Sequence, residues 1–303
     1  MVQKLNNIIK KTPIAISGLL LATLSLSNIY QSQNIKTTVF LIGTIIILIL
    51  LAKSLLYRKI ISKELNQLVV LSTSGTFSMA LMLYSTFIIG YNYNVALFIW
   101  ILGIILHALL ICIFTYKYIL KNFNIENVYG SYWVVYVGIT MASITGLSFN
   151  LQNISWIFFL FGFTVMIPTF ILVTYRYINY PVKLEQNRPL ICIYAALFNI
   201  LIVGYVNSFT VININFLLIL YSIASICYIF SLYKFVSYIR MPFYTSYSAY
   251  TFPFVISAIA STKVLSILNY NQMIQYVVWI EMLIATMLVV YVFIRYCQNV
   301  LLK

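Results

Sequence analysis

Apolar stretches of similar length recur along the whole chain, and no other feature constrains the fold as strongly. Each is close to the roughly 20 residues that an α-helix needs to cross the hydrocarbon core of a bilayer. With 63% hydrophobic and only 7% charged residues, little of the chain is left for a soluble domain. The sequence therefore predicts an all-α membrane protein, a single transmembrane domain over residues 1–303 with ten transmembrane helices. The ten stretches are residues 13–30, 37–56, 68–90, 95–118, 132–149, 154–176, 189–208, 212–236, 243–262 and 273–296.

The basic residues predict how these helices are oriented. The net charge is +14, and all 18 Lys and Arg residues except Lys36 and Lys263 lie at helix ends or in loops on one side. The positive-inside rule places this side in the cytoplasm, together with the N- and C-termini. Because topology explains the basic balance, we expect the lipid bilayer and no nucleic acid among the partners.

The first stretch follows three lysines and is similar to a signal peptide, but no small-residue cleavage site follows it. We therefore expect it to be retained as a membrane span. Enrichment in Ile, Asn, Tyr and Lys is typical of an AT-rich bacterial genome. These features together predict a multi-pass protein of the cell membrane, in a bacterial cytoplasmic membrane.

Small and hydroxyl residues are concentrated in the odd-numbered helices, whereas the even-numbered helices are uniformly apolar. Such residues let membrane helices approach closely or face water. The odd-numbered helices begin about 55 to 65 residues apart, which predicts five helical hairpins with an inner ring of five odd-numbered helices around a central pore. Helix packing without a pore is the alternative. The candidate pore-lining residues are Ser17, Gly18, Ser74, Gly75, Gly138, Ser143, Asn199, Ser248 and Thr251.

The apolar part of the odd-numbered helices contains no charged residue and no histidine. Proton-coupled transporters and cation channels usually carry acidic groups or a histidine there. A hydroxyl-lined tube with a basic cytoplasmic mouth favours small inorganic or organic anions instead. The alternative is that the basic mouth reflects only the positive-inside rule.

Two motifs resemble a known family. "TPIAISGLLLATLSL", which begins at Thr12, is similar to the opening helix of the tellurite-resistance/dicarboxylate transporter (TDT) family, and "YTFPFVISAIASTK", residues 250–263, is similar to its ninth helix. The family includes bacterial TehA and the plant guard-cell slow anion channels. The resemblance implies an anion channel or channel-like anion transporter that forms a homotrimer. It also implies that a phenylalanine, here Phe252, plugs the pore midway, although ordinary packing is the alternative for this ring.

Proline chemistry is consistent with a gate at this position. Pro253 lacks a backbone N–H and clashes with the preceding turn, so it is expected to bend the helix and hold the ring of Phe252 across the lumen. The hydroxyls of Ser248 and Thr251 would serve the carbonyls that the proline leaves free. In the third, fifth and seventh helices, any bend is expected at Ser74–Gly75, at Gly138, and at Asn199 or Gly204. Close helix packing is the alternative role for the glycines.

Glu281 is the one carboxylate well inside a predicted span. We expect it to form a structural ion pair with Lys263, because charges inside a membrane are normally paired. A role in proton coupling is the alternative, and it would favour a carrier or exporter for C4-dicarboxylate, sulfite or tellurite. A lipophilic-cation exporter is a more remote alternative.

An enzyme is not expected. The chain has no aspartate, one histidine, no phosphate-binding loop and no metal-ligand cluster, so catalytic triads and metal sites have too few parts. The cysteines do not form a CxxC pair and are expected to be small buried hydrophobes. We therefore expect no cofactor and no metal; the identity of the anion stays open. The cysteines are Cys112, Cys192, Cys227 and Cys297.

Overall fold

A computed structural model describes residues 2–30, 32–268 and 272–301, and these contain helices and no strand. Short 3-10 helices connect or extend several α-helices, notably Glu185–Ile193 and Thr245–Tyr250. The α-helices are α1 (Val2–Lys11), α2 (Ile16–Ser25), α3 (Gln33–Leu56), α4 (Arg58–Leu65), α5 (Leu68–Thr73), α6 (Gly75–Ile88), α7 (Tyr93–Phe114), α8 (Ser131–Tyr136), α9 (Met141–Gly146), α10 (Gln152–Asn179), α11 (Tyr194–Ser208), α12 (Ile214–Tyr238), α13 (Phe252–Ile267) and α14 (Gln272–Leu301).

Eight helices among the described residues are long and apolar enough to cross a membrane. The prediction of an all-α, multi-pass membrane protein is confirmed. The first and fifth predicted helices differ from the expected single long helices. The first is reached through a bend of 91° between Gln3–Lys11 and Ile16–Asn28, because Pro13 disfavours helix in the residue before it. The fifth is a series of short helices over residues 131–149, where glycines lower the helix propensity.

Burial alternates along the chain. In Glu185–Ser208, 94% of the most apolar window is buried, and in Thr245–Ile267 the value is 78%, whereas it is 28% in both Tyr93–Lys121 and Gln152–Asn179. The less buried helices present leucine, isoleucine and phenylalanine side chains outward, as lipid contact requires. We call the more enclosed stretches the buried segments; they are Ile16–Asn28, Leu68–Ile88, 131–149, Glu185–Ser208 and Thr245–Ile267.

The five buried segments contact one another in chain order, and the last contacts the first. The contacting pairs are α2 with α6, α6 with α9, α9 with α11, α11 with α13, and α13 with α2. Each buried segment also packs against the exposed helix that follows it, such as α6 against α7 and α11 against α12. The contacts therefore form a closed cycle with exposed helices outside it.

Side-chain hydrogen bonds join neighbouring members of this cycle. The hydroxyls of Ser17 and Thr76 lie 2.7 Å apart between α2 and α6. Asn199 donates from Nδ2 to Ser257 Oγ at 2.9 Å, between α11 and α13. Interhelical bonds of this kind contribute on average about 0.6 kcal/mol each in membranes. They fix which faces of the helices meet.

Buried cations at one end of the bundle contact oxygen atoms or aromatic rings of their neighbours. Lys53 is fully buried, and its Nζ lies 2.5 Å from Glu64 Oε1 and donates to the Thr12 carbonyl at 2.7 Å. Arg176 is also buried, donates to the Glu126 carbonyl, and stacks over aromatic rings. Because a buried ion without a partner is costly, these contacts are what allow the cations at this depth.

Candidate pore

The fifth buried segment changes its helix type beside Phe252. Residues Thr245–Tyr250 form a 3-10 helix, Thr251 leaves helical geometry with φ −107° and ψ −81°, and α13 begins at Phe252. Pro253 therefore lies in the first turn of α13, where its missing N–H would have no partner in any case. The expected bend inside one helix is instead a break between two helices, and the proline starts the second.

A side-chain hydroxyl forms hydrogen bonds with backbone carbonyls at this break. Thr251 Oγ1 donates to the Ser248 carbonyl at 2.7 Å and lies 3.3 Å from the Gly18 carbonyl of α2. Gly18 allows this close approach, because a Cβ there would lie 3.0 Å from Ser248 Cβ and 3.2 Å from its Oγ. The residues at the break therefore pack directly against Gly18 of the first buried segment.

The other buried segments are interrupted at a similar depth. The break between α5 and α6 is at Ser74, and α8 ends just before Gly138, so both positions agree with the expected bends. The seventh predicted helix differs. Asn199 and Gly204 lie inside the continuous helix α11, and the segment changes from 3-10 to α-helix at Tyr194 instead. Hydrogen bonds and close packing, rather than a bend, account for Asn199 and Gly204.

A small cavity of about 50 Å³ lies where all five buried segments meet at the level of these breaks. Phe252 and Pro253 form part of its wall, and Phe252 is only 5% exposed. The lining is largely apolar and contains no charged side chain among the described residues. Each segment contributes, for example through Gly18, Thr76, Gly138, Leu197 and Phe252.

A second, more polar cavity of about 260 Å³ is lined by later residues of the same five segments. In α6, for example, Met79 borders the first cavity and Leu83 the second. The same order holds in the other four segments, so both cavities lie on the common axis of the bundle. Residues from the five segments that line the second cavity are Ser25, Thr86, Thr145, Asn207 and Lys263.

The predicted lining residues divide into two groups. Gly18, Gly138 and Ser248 border the first cavity. The others are not among its lining residues. Ser17, Ser143, Asn199 and Thr251 are buried in hydrogen bonds with neighbouring groups, Gly75 packs toward Leu110 and Val134, and Ser74 borders an apolar cleft near α3 and α7.

Sequence reasoning missed one face of the second buried segment. Thr73, Thr76 and Met79 border the first cavity, whereas the sequence analysis selected Ser74 and Gly75. The missed residues recur every three positions, and Leu83 and Thr86 continue the face into the second cavity. This spacing is the signal that identifies one side of a helix, and residue type alone does not carry it.

The expected ion pair between Lys263 and Glu281 does not form. Glu281 is buried and hydrogen-bonds to Ser261, which also accepts a hydrogen bond from Tyr221 at 3.1 Å. Its Oε2 atom has no partner among the described residues. Lys263 instead borders the second cavity, and no described residue forms a salt bridge with it. The side chains are directed to different places because Ser261 and Lys263, two residues apart, project from different sides of α13.

An all-α, multi-pass membrane protein with two cavities on the axis of its buried segments has the arrangement expected of a channel or transporter. The chain is a member of the voltage-dependent anion channel (SLAC1) family, whose match covers residues 11–297 and hence all five buried segments. A search of curated proteins gave no match. The family assignment confirms the resemblance drawn from the two motifs. Nothing in the part of the chain that the structure describes forms a group of metal-ligating side chains.

The contact between Gly18 and Ser248 generates a testable prediction. Gly18→Ala should lower the thermal unfolding midpoint in detergent, because its Cβ would press on the Cβ and Oγ of Ser248; overpacking of this kind costs about 1–3 kcal/mol. Adding Ser248→Gly should restore most of the loss by removing both atoms. A double variant no more stable than Gly18→Ala would contradict this packing.

Proposed function

We propose that this protein conducts small anions along the axis of its five buried segments, with Phe252 as an aromatic gate. The observation that carries the proposal is the pair of cavities that all five segments line, with Phe252 in the wall of the first. The gate at this position is also what the ninth-helix motif implies. The site itself supports the role, because Pro253 starts a new helix immediately after the ring.

The small volume of the first cavity indicates that the pore is closed in this conformation. At about 50 Å³ it has room for no more than a few water molecules, and its walls are mainly apolar. A hydrated anion would not fit, and an apolar constriction resists wetting. Rotation of the Phe252 ring away from the axis would widen the cavity, which is the proposed opening step.

The charges support selection of anions over cations. The chain has four acidic residues in total, and three of them are paired with basic side chains as Lys53–Glu64, Lys183–Glu126 and Arg188–Glu185. The fourth, Glu281, borders neither cavity. The described lining of both cavities therefore contains no carboxylate and one cation, Lys263. A path of this composition has a potential that favours anions.

The proposal includes ten membrane crossings in five hairpins, an inner ring around a pore, and cytoplasmic termini. The closed cycle of contacts among the buried segments supports the ring, and the exposed helix after each of them supports the hairpins. The segments Ile16–Asn28 and 131–149 are short for a span. Both are as buried as the other three, so protein rather than lipid surrounds their irregular backbone.

The gate is tested by anion flux from liposomes that contain the purified protein. Phe252→Ala should raise chloride flux at least about tenfold, the change that follows from lowering the barrier by ~1.4 kcal/mol. The current should reverse near the chloride equilibrium potential. The matched control is Phe254→Ala, because Phe254 is fully buried against Tyr228 and Phe235 and borders neither cavity.

A closed wild type, an open Phe252→Ala variant and a closed Phe254→Ala variant are the expected results. Equal conduction through both variants would point to general loosening of the bundle and would contradict a gate. Absence of conduction in every variant would contradict the pore.

A proton-coupled carrier or exporter for C4-dicarboxylate, sulfite or tellurite is the second candidate. It is favoured by one observation, the buried Glu281 whose Oε2 has no partner among the described residues. Buried carboxylates in membranes often serve proton transfer. Its hydrogen bond to Ser261 connects this carboxylate to α13, the helix that carries Phe252. The described lining of both cavities lacks an acidic residue that would hold a lipophilic cation, so no observation favours that exporter.

Glu281→Gln separates the two candidates. For a channel, Glu281→Gln combined with Phe252→Ala should retain chloride flux within about twofold, because removing a buried charge that faces neither cavity leaves the path unchanged. The flux should also not depend on a proton gradient. Uptake of dicarboxylate or sulfite that needs a proton gradient, and that Glu281→Gln abolishes, would establish the carrier instead.

We further propose that the protein is a homotrimer, as the family resemblance implies, and that it lies in a bacterial cytoplasmic membrane, as the residue composition predicts. The wide apolar outer faces of α7 and α10 leave room for contacts between subunits. Native mass spectrometry from detergent should give three times the chain mass of 34.9 kDa. A monomer at all protein concentrations would contradict the trimer.

A further inference from the structure

The second cavity contains a lysine whose charge no described residue neutralises. Lys263 is half-buried in the cavity wall. Lys53, at the other end of the bundle, is held by both a carboxylate and a carbonyl. The ammonium group of Lys263 has no salt bridge and no hydrogen bond to the residues that the structure describes. A cation inside a membrane protein without an internal partner normally faces water or a ligand.

We propose that the second cavity is a binding site for a small inorganic anion, with Lys263 as its cation. The inference deepens the proposed pore and rests on it for its physiological role. The cavity lies on the same axis as the gate, beyond Phe252 on the side of the bundle that carries Lys36 and Lys263. An anion bound here would lie next to the first cavity, which Phe252 lines.

Lys263 is the one charged donor among the described residues that line the cavity, beside the neutral side chains of Asn28, Ser148 and Asn207. The hydroxyl protons of Ser25, Thr86, Thr145 and Thr262 are used in hydrogen bonds to carbonyls of their own helices. These four hydroxyls therefore have no proton left to donate to an anion. The ammonium group of Lys263 has three donors and a full positive charge.

If Lys263 had a purely structural role, its ammonium group would be expected to contact backbone carbonyls or a carboxylate. Lysines near helix C-termini can bond the last carbonyls and offset the helix dipole. Lys263 lies near the end of α13, yet its Nζ donates to no carbonyl of the described residues. Glu281, the one carboxylate in this half of the bundle, is bonded to Ser261. The charge of Lys263 is therefore available to the cavity.

A third cavity adjoins the second between α3 and α6. Its volume is about 320 Å³, and it shares Asn28 and Thr86 with the second cavity. Lys36 borders it and is exposed. The two lysines on this side of the protein thus border adjoining cavities, Lys36 toward the outside and Lys263 toward the gate.

Anion binding can be measured without conduction. Thermal unfolding of the purified full-length protein in detergent is followed while sodium bromide replaces sodium gluconate at constant ionic strength. Bromide should stabilise the wild type, and Lys263→Gln should weaken the apparent affinity about tenfold, or ~1.4 kcal/mol. Lys263→Arg keeps the charge and should retain binding. Lys36→Gln is the matched control, because it removes an equal charge from the exposed third cavity and should change affinity by less than about twofold.

Anomalous diffraction from crystals grown in bromide locates the ion. A peak in the second cavity of the wild type and of Lys263→Arg, absent from Lys263→Gln, is the expected result. No peak in the wild type, or an unchanged peak and affinity in Lys263→Gln, would overturn the site. A bromide peak in a protein whose Phe252→Ala variant is silent would remove the proposed pore and leave the binding site standing. Conduction through Phe252→Ala without bromide binding would do the reverse.

Discussion

Backbone hydrogen bonding in an apolar surrounding is the constraint on which the rest of this structure depends. Unpaired N–H and C=O groups are costly in lipid, so breaks between helices are favoured where protein encloses the backbone. The long exposed helices α3 and α12 are accordingly unbroken, whereas the buried segments break at Ser74, near Gly138 and at Thr251. At Thr251 a side-chain hydroxyl bonds the Ser248 carbonyl beside the break. The breaks and the first cavity therefore occur together at the centre of the bundle.

The basic side chains inside the bundle differ in whether neighbouring groups bind them. Lys53 and Arg176 are buried where carboxylate or carbonyl oxygens meet them, so these cations hold the ends of helices together. Lys263 is different, because its described neighbours leave its charge uncompensated. In a chain with four acidic residues, this one difference separates a cation that stabilises the fold from one that can meet a solute.

Composition, periodicity and two motifs were sufficient to predict the membrane class, the alternation of buried and exposed helices and the family. Small residues gave Gly18 and Gly138 as residues at the centre, and the resemblance of the ninth-helix motif to the family gave Phe252. Helix phase was harder to predict: Thr73 and Thr76 border the first cavity, while the adjacent Ser74 and Gly75 do not. The partner of Glu281 was wrong for a related reason. Ser261 and Lys263 are similarly near to it in sequence, and only the rotation of α13 decides between them.

The 3-10 helices Glu185–Ile193 and Thr245–Tyr250 are longer than the same residues would be as α-helix. A 3-10 helix rises about 2.0 Å per residue against 1.5 Å in an α-helix, and it turns about 20° further per residue. Thr245–Tyr250 has six residues in this form directly before the gate, and it packs against the other stretch, Glu185–Ile193. Rewinding those six residues into α-helix would shorten them by about 3 Å and rotate α13 by roughly a third of a turn. A change of helix type in Thr245–Tyr250 would therefore move Phe252 along the axis and rotate its ring at the same time.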